Sequence, residues 1–156
     1  MYKLNFDTAI FSDLKCSGFG AIIRNTTGDV MAGMSAKGPF VSNSEEVEAL
    51  ACQKAIEFSI EAGFSELVIK GDSLNVMRAI SASTANNFLL GHIYKDICCY
   101  ISGLQVVSIR VERGGNMVSH SFAKYVKNIV DEMYWLEDTP PPAVDALYWD
   151  FLRINE

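Results

Sequence analysis

The sequence has no run of 18 consecutive apolar residues, and its first residues lack the basic and then apolar pattern of a secretory signal. We therefore expect neither a membrane-spanning helix nor a signal peptide, and an intracellular location in the cytoplasm or the nucleus. Repeats and low-complexity tracts are also lacking. With 49% hydrophobic and 21% charged residues, the composition excludes a disordered, collagen-like or coiled-coil chain.

Cysteine is scarce and is not arranged as a metal-binding pattern. No two cysteines form a CxxC pair, and no histidine stands at zinc-ligand spacing beside them. We therefore expect free thiols in a reducing compartment, mostly buried, at Cys16, Cys52, Cys98 and Cys99.

Positive charge is not in excess, since the net charge is −6. Residues 131–156 carry seven acids against the single base Arg153, a balance of −6. Residues 1–130 hold the other 12 acids and 12 bases and are neutral as a whole. The acidic excess thus belongs to the C-terminal tail, and it argues only weakly against a polyanionic partner.

The hydrophobic pattern predicts one domain, residues 1–130, in a chain long enough to bury a core. Alternation at 2–7, 18–24 and 30–36 predicts three strands, the last two joined by a hairpin with Gly28 in the turn. Two overlapping capping boxes at 42–46 predict a helix that ends at Gly63. The remaining elements are a strand at 67–69, helices at 73–80 and 89–102, a strand at 105–111 and a helix at 116–130.

The resulting order, β-β-β-α-β-α-α-β-α, predicts an α/β fold with a five-stranded mixed sheet and helices on its faces. Residues 131–156 form a proline-containing acidic tail, with a short amphipathic helix predicted at 143–152. The tail contains apolar clusters at 133–136 and 147–151. Either these clusters pack back on the domain, or they dock to a protein partner or to a second copy of the chain.

Three acids stand where an exposed surface charge is not expected. Asp7 ends the first predicted strand, Asp72 ends the fourth behind a glycine, and Glu48 lies one helical turn into the helix after residue 43, between apolar positions. If the first and fourth strands are neighbours, the three carboxylates converge at one edge of the sheet. Such a cluster suits Mg²⁺, and two ions roughly 4 Å apart serve phosphoryl displacement. Alternatively, Asp72 caps a helix, Asp7 lies in a turn and Glu48 complements a helix dipole.

Five motifs carry a family resemblance, in chain order 3–7 (KLNFD), 18–24 (GFGAIIR), 46–51 (EVEALA), 66–73 (ELVIKGDS) and 116–124 (NMVSHSFAK). Together they make residues 2–130 resemble the RNase H-like domain found in plants, often called reverse-transcriptase-like. The resemblance implies an RNase H-like fold and an Asp-Glu-Asp-Asp site that hydrolyses the RNA strand of RNA–DNA hybrids with two Mg²⁺ or Mn²⁺ ions. Asp7 would bridge both ions, and Glu48 and Asp72 would hold the ion on the leaving-group side.

The sequence departs from this family at the fourth acid. The family pattern Asn-x-x-Ala-Asp-x-Leu-Ala aligns with 116–123, which places His120 at the position of the acid. Imidazole is a poor ligand for Mg²⁺ and an acceptable one for Mn²⁺. His120 is therefore either a weak ligand, a general base or aid to product release, or a residue without a role. A second departure is Gly114-Gly115, which we expect to make the start of the last helix mobile.

Recognition of a hybrid is expected to depend on shape, phosphates and 2′-hydroxyl groups rather than on base edges. The candidate contacts are backbone or polar groups near the carboxylates, and each can equally be an ordinary surface residue: Thr8, Ala9, Gly18, Asn75, Arg78, Arg113 and Asn116.

Three functions remain open. The first is an RNase H-type endonuclease weakened by His120. The second is a non-catalytic RNase H-like module that binds nucleic acid or protein, which the lost acid and the acidic tail favour. The third is a 3′–5′ exonuclease on the same scaffold, which we rank last because 7–9 (DTA) lacks the Asp-x-Glu pair of that class.

Overall fold

The computed structural model describes residues 1–81, 91–104 and 117–136, and the backbone alone of 106–111. The six strands are β1 Tyr2–Phe11, β2 Cys16–Arg24, β3 Val30–Pro39, β4 Glu66–Gly71, β5 Val106–Val111 and β6 Glu132–Leu136. The helices are α1 Ser44–Glu61, α2 Leu74–Ser81, α3 Gly91–Ser102 and α4 Met117–Lys124, which a 3₁₀ helix, Tyr125–Asn128, continues. In these described ranges no helix is both long and apolar enough to cross a membrane.

One mixed sheet contains all six strands in the order β5-β4-β1-β2-β3-β6. The predicted order β-β-β-α-β-α-α-β-α is confirmed, and the structure adds a sixth strand to the predicted five. β6 comes from the start of the segment that the sequence analysis assigned to the tail. Its apolar residues pair with β3, so residues 132–136 pack back on the domain. The domain boundary at residue 130 stays a prediction, and the predicted helix at 143–152 lies outside the described residues.

β1 is the strand that organises the site, because it pairs with β2 on one side and β4 on the other. It runs antiparallel to β2, with Asp7 opposite Gly20, and parallel to β4, with Asn5 opposite Lys70. The first and fourth strands are thus neighbours. Asp7 and Asp72 each follow the Asn5–Lys70 pair by two residues, so both lie at the same level of the sheet.

The helix α1 covers one face of the sheet. Asn43 caps it, with its side chain accepting a hydrogen bond from the Glu46 N–H at 3.0 Å. The helix ends before Gly63, whose φ of +91° favours glycine. Side chains of β1, β2, β3 and β4 pack with α1, α2 and α3 into the main core, in which Leu4 and Phe6 are fully buried.

The helix α4 covers the opposite face, where glycines let it approach the sheet closely. A Cβ at Gly20 would lie 2.1 Å from the Ser119 carbonyl oxygen, and one at Gly18 would lie 2.3 Å from that of Ala123. A second, smaller core forms there from Ile22, Val118 and Phe122. α4 is therefore held at a fixed height above β1 and β2.

Side chains of the strand β6 contact helices on both faces of the sheet. Lys54 of α1 forms an ion pair with Glu132, with an Nζ–Oε2 distance of 2.9 Å. On the other face, the Trp135 ring lies 5.3 Å from the Phe122 ring and 5.9 Å from the Tyr125 ring, measured between centroids. β6 thus contributes to the packing of α4.

The four cysteines are free thiols, as predicted. Cys16 and Cys52 are buried, Cys98 is half-buried and Cys99 is exposed. Burial raises the pKa of the Cys52 thiol, which keeps it protonated and unreactive.

Candidate active site

Asp7 is the central acid of the candidate site, and both of its carboxylate oxygens have protein partners. Oδ1 accepts a hydrogen bond from the Thr8 N–H at 2.8 Å. Oδ2 lies 3.0 Å from Nδ1 of His120, which reaches it from α4. The Asp7 carboxylate is thus held in one orientation at the point where β1, β2 and α4 meet.

Glu48 approaches from α1, on the other side of β1. The Thr8 hydroxyl donates a hydrogen bond to its Oε1 at 3.0 Å. Its Oε2 is buried and accepts no hydrogen bond in the described part of the chain. A buried carboxylate oxygen without a partner is costly, so this atom is available to a ligand that brings positive charge.

Asp72 follows β4 directly and is exposed. It was considered as a helix cap, but the residue that caps α2 is Ser73, whose hydroxyl accepts the Val76 N–H at 3.3 Å. The acid also acts on its neighbours, since its charge contributes to raising the pKa of both Asp7 and Glu48. The structure therefore brings the three predicted carboxylates together at one edge of the sheet.

Two acids of this cluster, Asp7 and Glu48, resist ionisation. Burial is the largest cause that raises the pKa of Glu48 to about 7, and the charges of Asp7 and Asp72 add to it. Burial likewise raises the pKa of Asp7, against the opposing effect of the Thr8 N–H and of His120. Carboxylates that are buried together repel one another unless cations or protons compensate them. Raised pKa values in a cleft are typical of functional sites.

His120 occupies the position of the missing fourth acid. Its side chain is 43% exposed, against 14% for that of Asp7, so the imidazole lies at the mouth of the site. Because Nδ1 faces Asp7, Nε2 is the ring nitrogen left for a substrate or water. An acid that orients a histidine in this way is a recurring device in general-base catalysis.

The donor set fits a hard divalent cation in its chemistry, because it supplies three carboxylates, one with a buried oxygen that has no partner. The cluster is not a ready-made cage. Among the described residues, no group of three or more His, Cys, Asp or Glu side chains is spaced so that it could hold a metal ion as it stands. Asp7 and Glu48 instead have oxygens engaged by His120 and Thr8.

The predicted substrate contacts divide into three groups. Thr8 and Ala9 are half-buried beside the acids, and Asn75 and Arg78 are exposed on α2, directly after Asp72. Gly18 is buried and lies beneath α4, so its observed role is packing, while its predicted contact with a substrate stays a prediction. The predicted contacts at Arg113 and Asn116 lie outside the described residues.

Sequence reasoning missed the hydrogen bond between Thr8 and Glu48. It treated Thr8 as a backbone contact for the substrate, whereas its hydroxyl joins β1 to α1 across 40 residues. A threonine directly after an acid at the end of a buried alternation is a signal too weak to predict such a contact. The contact between His120 and Asp7 was equally unpredictable from the sequence, since it depends on how closely α4 approaches β1.

Several solved RNase H structures share this fold at low sequence identity. RNase H1 from the halophilic archaeon Halobacterium salinarum is 19% identical, with a TM-score of 0.72 over 81% of this chain and 97% of its own. The N-terminal RNase H domain of a Mycobacterium tuberculosis protein is 14% identical, with a TM-score of 0.67 over 81% and 93%. LC11 RNase H1, isolated from compost, is 16% identical, with a TM-score of 0.68 over 81% and 95%. No curated protein matches the sequence.

The fold and the position of the acids define an RNase H-like domain. The model of the reverse transcriptase-like family matches residues 5–126. The chain belongs to this family, which confirms the resemblance carried by the five motifs. Its placement in the plant branch of the family stays a prediction.

Proposed function

We propose that this chain is an RNase H-type endonuclease that hydrolyses the RNA strand of RNA–DNA hybrids. The observation that carries the proposal is the cluster of Asp7, Glu48 and Asp72 at one edge of an RNase H-like sheet, with Glu48 Oε2 buried and without a hydrogen-bond partner in the described part of the chain. A charge cluster of this kind destabilises the protein when it is empty, so its presence favours a function that fills it.

The nucleic-acid substrate is supported by analogy with structural neighbours. LC11 RNase H1 was also solved in complex with an RNA/DNA hybrid, and so was a foamy viral protease-reverse transcriptase that shares this fold. The fold alone does not determine an activity. The proposal therefore depends on the acids of this chain.

Asp7, Glu48 and Asp72 would hold two divalent cations, Mg²⁺ or Mn²⁺. Such ions activate water and stabilise the charge on the leaving oxygen when they are bound. Thr8 keeps the Glu48 carboxylate directed toward Asp7 by binding its Oε1 at 3.0 Å. The buried Oε2 is then the atom that Glu48 offers to a cation.

His120 acts in this proposal through its protons and not as a metal ligand. Asp7 fixes the imidazole through Nδ1, and the half-exposed ring presents Nε2 toward solvent. His120 is thus suited to take a proton from an attacking water at Nε2.

The same contact favours a second candidate, a non-catalytic RNase H-like module that binds nucleic acid or protein. The 3.0 Å contact between Asp7 Oδ2 and His120 Nδ1 occupies the oxygen that a bridging ligand needs. If this contact excludes a cation from Asp7 in solution, the metal site stays incomplete. The module would then bind without cleavage.

The test is cleavage of an end-labelled RNA–DNA hybrid by the purified protein, in Mg²⁺ and separately in Mn²⁺. Asp7→Asn and Glu48→Gln are the inactive controls, since each removes one charge and keeps the shape of the side chain. Cleavage that both substitutions abolish is the expected result. Cleavage that survives both substitutions points to a contaminating nuclease, and no cleavage in either metal favours the non-catalytic module.

A further inference from the structure

A basic pocket lies next to the candidate active site, on the continuation of α4. It is a shallow pocket of about 230 Å³, lined by Ser121, Lys124, Tyr125, Lys127 and Asn128. None of these residues belongs to the carboxylate cluster or to the predicted substrate contacts. The pocket is therefore a separate feature that the proposed catalytic chemistry does not use.

The pocket and the candidate active site lie along the same stretch of chain, α4 and the 3₁₀ helix that continues it. His120, which contacts Asp7, is four residues before Lys124, so the two side chains are neighbours on the same helical face. Lys124 and Lys127 are three residues apart, and the chain is a 3₁₀ helix from Tyr125, in which side chains three apart lie one above the other. The rise per residue puts the backbones of Lys124 and Lys127 roughly 6 and 12 Å along the helix axis from that of His120.

The charged residues along this helical segment are all basic. Residues 117–130 contain Lys124, Lys127 and no acid. Both lysines are exposed, and within the described ranges no carboxylate forms an ion pair with either of them. The nearest acids in sequence are Asp131 and Glu132, and Glu132 is paired with Lys54. In a chain with a net charge of −6, these positions are a local site for an anion.

The backbone beneath the pocket is held against the domain by packing. Val126 is fully buried between the two lysines, and the Tyr125 ring packs against that of Trp135 at 5.9 Å. The Ser121 hydroxyl donates to the Met117 carbonyl oxygen at 2.9 Å, so the lysines and Asn128 supply the donors of this pocket. A fixed element that presents two ammonium groups and an amide suits an anion with several oxygens, as a phosphate has.

We propose that this pocket binds a backbone phosphate of the nucleic acid, about two to four nucleotides from the bond at the carboxylate cluster. The spacing follows from the roughly 6 to 12 Å of backbone rise between His120 and the two lysines and from a rise of about 3.4 Å per nucleotide along a strand. The inference rests on the proposed function, because it assumes that the carboxylates mark where a phosphodiester lies. It adds a contact that positions the polymer and does not read its sequence.

The test measures binding and not cleavage, by fluorescence anisotropy of a labelled RNA–DNA hybrid in EDTA over a series of salt concentrations. Lys124→Ala/Lys127→Ala is expected to weaken binding roughly tenfold and to lower the slope of log K against log salt by about 1 to 2. Lys124→Arg/Lys127→Arg keeps the charge at the same positions and should retain the wild-type slope. Lys3→Ala/Lys95→Ala removes the same charge from β1 and from α3, which packs on the opposite face of the sheet, and should leave affinity within about twofold.

Two results would overturn the proposal. One is equal weakening by Lys124→Ala/Lys127→Ala and by the control pair, which would reduce the effect to net charge. The other is tighter lysine-dependent binding of poly-glutamate than of the hybrid, which would assign the pocket to an acidic protein. If the wild type does not cleave the hybrid but Lys124→Ala/Lys127→Ala weakens binding, the proposed nuclease is rejected and the phosphate pocket is kept. If the wild type cleaves but Lys124→Ala/Lys127→Ala leaves binding unchanged, the phosphate pocket is rejected and the nuclease is kept.

Discussion

His120 on α4 contacts Asp7 on β1 at 3.0 Å, across 113 residues of sequence. The family resemblance assigns Asp7 to both cations and places an acid where His120 stands. The His120 imidazole and a divalent cation would therefore compete for the same carboxylate oxygen. This competition, and not the loss of a single ligand, is what distinguishes the site from one with four acids.

Restoring the fourth acid is expected to favour cations. His120→Asp adds a negative charge and removes the contact to Asp7 Oδ2, so the affinity for Mg²⁺ should rise about tenfold, as cation affinity follows ligand charge. Isothermal titration calorimetry with Mg²⁺ measures it, with His120→Asn as the control that removes the imidazole without adding charge. Equal Mg²⁺ affinity in the wild type and His120→Asp would contradict this account.

Thr8 is expected to stabilise the Glu48 carboxylate through its hydroxyl. Thr8→Val removes the donor to Oε1 and leaves a buried carboxylate with no partner, so the free energy of unfolding at pH 8 should fall by about 1 to 3 kcal/mol. Urea unfolding measures the change, and Thr8→Ser, which keeps the hydroxyl, should lose much less. In the Glu48→Gln background the cost of Thr8→Val should shrink, and an unchanged cost would show that the two side chains are not coupled.

The stability of the metal-free protein should depend on pH through Glu48. Its pKa is raised from 4.5 to about 7, so the folded state binds the Glu48 proton more tightly than the unfolded state does. The resulting stabilisation is fully present below pH 4.5 and is lost as the pH rises through 7, by up to about 3 kcal/mol. Urea unfolding between pH 5 and pH 8 in EDTA should show a decline up to about pH 7 that levels off above it and that Glu48→Gln reduces. An equal decline in Glu48→Gln would assign the effect to other groups.

Gly20 is expected to be intolerant of any side chain. A Cβ there would lie 2.1 Å from the Ser119 carbonyl oxygen and 2.4 Å from the Ala123 backbone nitrogen, so Gly20→Ala must push α4 outward. The free energy of unfolding should fall by about 1 to 3 kcal/mol, and His120 should move away from Asp7. Thermal or urea unfolding measures the loss, with Gly103→Ala as the control because its nearest neighbour is 3.4 Å away. Equal tolerance of both substitutions would refute the close packing of α4.

The order of strands and helices was predictable because it depends on local pattern. The period-2 alternation at 2–7 and the capping boxes at 42–46 each act within a few residues, and β1 and α1 begin where they predict. β1 continues to Phe11, so Asp7 lies inside the strand and neither at its end nor in a turn, because pairing with β2 extends the strand beyond the alternation. The sequence predicted that Asp7 and Asp72 converge if the first and fourth strands are neighbours, and β1 and β4 are neighbours in the sheet.

The contacts between elements were not predictable from pattern. The Thr8–Glu48 and Asp7–His120 pairs depend on the heights of α1 and α4 above the sheet, which side-chain volumes and glycines such as Gly20 determine. The strand β6 was missed for a different reason. Residues 132–136 carry both charge and large apolar groups without regular burial, so only their pairing with β3 makes them a strand.

The last prediction concerns whether β6 belongs to the cooperative core of the domain. Trp135 is half-buried and packs against Phe122 at 5.3 Å, so Trp135→Ala should lower the free energy of unfolding by about 2 kcal/mol. Leu136→Ala on the same strand is the control, because Leu136 is 60% exposed and its loss should change stability by less than about 0.5 kcal/mol. Urea unfolding followed by both tryptophan fluorescence and circular dichroism separates local from global effects. If Trp135→Ala leaves stability unchanged, β6 is an appendage and the domain ends near residue 130, whereas the expected loss extends the domain through Leu136.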